Sequence, residues 1–160
     1  MTTAKAIVKA GAQETRIYPT LVIKNTALER LWRKGSYTPL SLKEAVGMSA
    51  ALHRFFEEKG VIILRTGLYP SEELKDGSGF LAGPFHPAFK ELVLSEIWRQ
   101  LLDEIPADSS CLILKVNPRA LNNAVGYKKS NLKFLEEKFR KVKFKTDSSL
   151  KNREFYVDFC

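Results

Sequence analysis

Cysteine is scarce in these 160 residues: Cys111 and Cys160 are the only two, and they stand 49 positions apart. A secreted disulfide framework uses more, so a reducing compartment is the expected setting. Long apolar runs are also missing. None approaches the roughly 20 residues that a bilayer demands, and the N-terminus lacks the apolar core of a signal peptide. The sequence therefore points to a cytoplasmic chain with no membrane partner. It contains no Ser/His/Asp set, paired-carboxylate site, phosphate-binding Gly-rich loop or dinucleotide fingerprint, and intrinsic catalysis is not expected. His53 has no Cys, Asp or second His at ligand spacing, so it reads as a packing histidine, and no metal site is predicted.

What is present is ordinary globular composition, 44% hydrophobic and 28% charged, in a length that suits one domain or two small units sharing a core. Charge is unevenly placed. From Cys111 onward 12 Lys and Arg face 5 acids, which leaves seven of the eight net positive charges in the last 50 residues. Such polarity suits a polyanionic partner; a lysine-rich solvated surface is the alternative.

Along the chain, Thr2 to Ala12 reads as the end of a helix stopped at Gly11, which predicts further chain upstream. Thr20-Leu21-Val22-Ile23 is an apolar, β-branched run and predicts a strand buried on both faces. Asn25 or Thr26 caps a short helix ending at Gly35. Ser41 and Glu44 form a capping box, and the helix they start carries Leu42, Ala45, Val46, Ser49, Leu52, His53 and Phe56 on one face. Val61 to Gly67 is the second buried strand, which makes a parallel βαβ unit. Leu68 to Phe85 reads as a linker or active-site loop, and Phe89 to Leu101 as a helix stopped by Pro106.

Tyr18-Pro19-Thr20-Leu21-Val22, then Thr26, Leu28, Leu31-Trp32, Gly35, Tyr37 and Pro39-Leu40 resemble a segment of a radical SAM family. Its members include the catalytic subunit of Elongator and bacterial proteins labelled oxygen-independent coproporphyrinogen III oxidase-like. The phrase Gly83-Pro84-Phe85-His86-Pro87-Ala88-Phe89-Lys90-Glu91-Leu92-Val93 resembles the bacterial members again. The resemblance implies late strands of a partial (βα) barrel over residues 1–70, a linker and connecting helix over 71–110, and a C-terminal domain over 111–160. It places Tyr18, Thr20 and His86 near the barrel mouth. His86 has two readings: it faces substrate or cofactor, or, as favoured here, it opens a helix with Pro87 at the first position.

The last fifty residues form a separate pattern. Cys111 to Val116 is a strand, Arg119 to Val125 a helix stopped at Gly126, and Tyr127-Lys128-Lys129 a turn. Ser130 or Asn131 caps a second helix, and Lys141 to Lys145 alternates as a strand with Glu154 to Phe159 as its partner. This order resembles the core of a KH domain, where a GxxG loop between two helices lets a nucleic-acid backbone approach. Gly126 matches the first glycine, and Lys129 stands in place of the second. The fold class expected is α/β with an α+β C-terminal part. The expected nucleic-acid contacts are Lys115, Arg119, Gly126, Tyr127, Lys128, Lys129 and Lys133. Lys141, Lys143 and Lys145 read as a solvated edge face that discourages aggregation.

A radical SAM enzyme holds its 4Fe–4S cluster on three closely spaced cysteine thiolates, with S-adenosylmethionine on the open iron. Two distant cysteines cannot do this. The resemblance thus implies cluster and S-adenosylmethionine for the full-length family, none bound by this chain alone, and an N-terminal radical SAM half as partner. The alternatives are a stand-alone basic RNA-binding module and a gene fragment without function.

Overall fold

In the computed structural model, which describes residues 1–107 and 109–160, strand β1 spans Glu14–Ile17 and pairs in parallel with β2, Ile62–Thr66. The ladder shifts register between Thr15 and Arg16. The strand expected at Thr20–Ile23 is not there: Val22 makes only an isolated antiparallel bridge to Ala82. Pro19 supplies the reason, since it has no N–H to give to a ladder and ends β1 just before it. The apolar run is still buried at Leu21 and Val22.

Between the strands lie helices α2, Ala27–Arg33, and α3, Leu42–Glu58. Thr26 caps α2 by accepting from the Glu29 N–H. Ser41 and Glu44 form the complete capping box of α3, with the Ser41 N–H donating to Glu44 Oε2 at 2.8 Å. Helix α1, Thr2–Lys9, and α3 pack on one face of the two-stranded sheet, where Ala4, Ile17, Phe56 and Val61 form a core flanked by Leu52 and Ile63. The second strand was expected to be buried on both faces. It is not: Ile62 is 60% and Leu64 51% exposed, because α1 and α3 cover only one side.

His53 is buried in the apolar face of α3, with Nδ1 3.2 Å from Glu57 Oε1 but without hydrogen-bond geometry. Residues 68–85 contain one short helix, α4, Glu72–Lys75. Helix α5, Phe89–Asp103, follows. Contacts divide the chain into two units, Met1–Val93 and Leu94–Cys160.

The second unit holds β3, Cys111–Val116; a one-turn segment Pro118–Ala120; α6, Leu121–Val125; the turn Tyr127–Lys129; α7, Ser130–Lys138; β4, Lys141–Thr146; and β5, Phe155–Phe159. The sheet order is β4-β3-β5, with β3 parallel to β4 and antiparallel to β5. β5 was expected beside β4; it pairs with β3 instead. In the middle position Leu112, Leu114 and Val116 are each fully buried, flanked on both sides by the inward residues of β4 and β5. One sheet face packs on Trp98, Leu102, Ala124, Leu135 and Phe139. Burying this set supplies the main stabilisation of the unit.

The same register joins Cys111 and Cys160 in a disulfide. The expectation of a reducing compartment counted only that two cysteines are too few for a secreted framework; the structure shows that these two are paired. Among the described residues no helix is long and apolar enough to cross a membrane.

Candidate functional site

Two regions carry the residues singled out in the sequence, one in each unit. In the first, Tyr18 and Thr20 follow the C-terminal end of β1, and both are exposed. The two phrases that resemble the radical SAM family meet here. The Val22 N–H donates to the Ala82 carbonyl at 2.8 Å, and the Leu81 N–H donates to the Val22 carbonyl at 2.7 Å. Gly83 lies against this backbone so closely that a Cβ on it would stand 2.9 Å from the Thr20 oxygen and from Leu21 Cδ2. Only glycine fits that approach at its φ of +124°.

His86 is half-buried and serves the start of α5. Its Nδ1 accepts from the Ala88 N–H at 3.0 Å, and its carbonyl accepts from the Phe89 N–H at 3.1 Å. Both bonds satisfy N–H groups that a helix start otherwise leaves open. Phe85 pairs with Phe80, ring centres 5.7 Å apart. A feature the sequence did not flag is Thr66 at the end of β2, which is buried and whose Oγ1 has no hydrogen-bond partner among the described residues.

The second region is the C-terminal unit. Gly126 closes α6 at φ +85°, and a Cβ there would meet Ser130 Oγ at 2.5 Å and the Asn131 nitrogen at 2.7 Å. Lys128 and Lys129 follow with φ of 51° and 63°, so the lysine standing where a second glycine is expected adopts a glycine-like conformation. The Tyr127 N–H donates to Ser95 Oγ at 2.8 Å, and Lys129 N–H to the Gly126 carbonyl at 2.9 Å. Neither Ser130 nor Asn131 caps α7. Asn131 is instead buried, donating from Nδ2 to the Ser95 carbonyl at 2.9 Å and tying the turn to α5.

The expected nucleic-acid contacts do not form one cluster. Gly126, Tyr127, Lys128, Lys129 and Lys133 belong to the α6–α7 layer, where Lys128, Lys129 and Lys133 are exposed. Arg119 is exposed in the turn after β3. Lys115 lies on the opposite sheet face, since its neighbours Leu114 and Val116 point into the core. There its Nζ pairs with Asp158 Oδ2 at 2.8 Å, a bond that raises the lysine pKa.

Among the described residues no group of three or more His, Cys, Asp or Glu side chains could hold a metal. Both thiols that might ligate iron are bound to each other. A cluster liganded by three thiolates does not fit these residues.

Residues 12–99 match the family described as the Radical_SAM C-terminal domain. No curated protein and no solved structure matched the chain.

Proposed function

We infer the function of this chain from one premise: it belongs to the radical SAM C-terminal domain family. It acts as the C-terminal portion of an Elongator-like radical SAM protein that modifies RNA or a small substrate. It contributes the last strands of the barrel and a C-terminal domain, and it is not catalytic alone. The family implies a 4Fe–4S cluster and S-adenosylmethionine for the full protein, on an N-terminal radical SAM part.

The observation that carries this reading is the open side of the β1–β2 sheet. Parallel sheets are covered on both faces, and a two-stranded sheet is marginal by itself. Here α1 and α3 cover one face, while on the other Ile62 and Leu64 of β2 stand exposed beside Glu14 and Arg16 of β1. An adjoining set of parallel strands and its core would bury both.

Coexpression with an N-terminal radical SAM segment bearing the three-cysteine motif tests this. A stable complex is expected, and replacing Ile62 and Leu64 together with Asp should abolish it without unfolding this chain. A complex that survives that change overturns the barrel reading.

A second reading, RNA binding by the C-terminal unit through a KH-like loop, is favoured by the left-handed backbone of Lys129 in the second glycine's place. Electrophoretic shifts by the isolated chain that vanish with Lys128→Glu and Lys129→Glu would support it; unchanged affinity at low salt would exclude it.

A further inference from the structure

The sheet of the C-terminal unit is covered by helices on one face. Strand alternation decides what the other face presents. From β4 it shows Lys141, Lys143 and Lys145, all exposed; from β3 Ile113 and Lys115; from β5 Tyr156 and Asp158. The register sets these in rows across the sheet, with Lys145, Lys115 and Tyr156 in one and Lys143, Ile113 and Asp158 in the next. Lys115 is paired with Asp158. No carboxylate pairs with the three lysines of β4 among the described residues.

Lysines on an edge strand commonly do no more than discourage pairing with another sheet. Two features here exceed that need. The three β4 cations share one face at the two-residue period of a strand, about 6–7 Å apart, a spacing close to that of successive phosphates in an extended single strand. Across the sheet Tyr156 offers a ring that is 61% exposed, which a wholly electrostatic deterrent does not require. Cations that follow a backbone, next to an exposed aromatic, are the two components of a single-strand platform: the first hold phosphates and the second stacks a base. Duplexes keep their bases stacked inside and would leave Tyr156 unused.

We propose that this open sheet face binds an extended single strand of nucleic acid, with Lys141, Lys143 and Lys145 along the phosphates and Tyr156 beneath a base. The surface is distinct from the Gly126–Lys129 loop, and it does not depend on completion of the barrel.

Fluorescence anisotropy of a labelled 20-nucleotide uridine RNA with the full chain, across a salt series, tests the proposal. Neutralising Lys141, Lys143 and Lys145 together to Gln should weaken binding at least tenfold and reduce the log–log salt slope by about 2, at roughly 0.7 per lost phosphate contact. Tyr156→Ala should cost about fivefold or more on the RNA, and nothing on inorganic polyphosphate, which has no base to stack. Lys128→Gln with Lys129→Gln should leave most of the affinity in place, and loss of affinity confined to that pair would assign binding to the loop instead. Absence of wild-type binding at about 50 mM salt, an unchanged slope in the triple variant, or equal competition by polyglutamate would overturn the proposal. If the triple variant does not fold, amide shifts of the unaltered chain decide. Changes along β4 and at Tyr156 support the face, and changes limited to residues 126–133 refute it.

Discussion

The Cβ that Gly67 lacks would stand 2.9 Å from the Cβ of Phe89 and 3.1 Å from its Cδ1. Gly67 sits at φ +86°, and its N–H donates to the Ile17 carbonyl at 2.8 Å. The end of β2 is thereby held at once to β1 and to the first residue of α5. Gly67→Ala must both strain the backbone and displace a buried ring. A loss of about 2–4 kcal/mol is expected, read from the urea midpoint.

At the α6–α7 turn the same logic gives opposite signs at two neighbouring positions. Gly126→Ala meets Ser130 and Asn131 at impossible distances and should destabilise the C-terminal unit by about 2 kcal/mol or more. Lys129→Gly relieves a left-handed lysine and should gain up to about 1 kcal/mol, less the entropy that glycine adds to the unfolded chain. Thermal unfolding of the two variants checks the signs.

The Cys111–Cys160 bond closes a loop across 49 positions and fastens the end of β5 to the start of β3. Reduction, or Cys160→Ser, should lower stability by about 2–4 kcal/mol. Faster amide exchange along β5 is the expected readout, with β3 and β4 protected for longer.

Asp103 should report its neighbours through pH. Its carboxyl is held below the usual carboxylate range first by a hydrogen bond from Lys138, at 3.0 Å, and then by Arg99. A depressed folded pKa means the contribution to stability is present above the ordinary carboxylate pKa and is lost as pH falls through the folded value. Lys138→Met should move the Asp103 midpoint upward, as followed by carboxyl NMR. The contact is at the surface, so added salt should shrink the difference.

Local signals were legible in the sequence because their physics is local. Ser41 and Glu44 specify a helix start within three residues, Gly11 and Gly35 mark left-handed stops, and the burial of His53 follows from its place in a 3.6-residue period. The order of strands and helices from Cys111 onward was readable in the same way. The run Thr20–Ile23 was misread because an apolar, β-branched stretch has the same composition whether it forms a ladder or only packs, and Pro19 decided between the two.

By itself, then, the sequence determined helix ends, strand alternation, the basic C-terminal third and the wording of the family. Which strand lies between which others depends on long-range pairing that no local pattern encodes. Only the tertiary structure could put β3 at the centre, bring Cys111 to Cys160, divide Lys115 from the Gly126 loop, and set Tyr156 on the same sheet face as the three β4 lysines. It also left Ile62 and Leu64 uncovered, because burying them takes apolar surface that α1 and α3 do not bring to that side of the sheet.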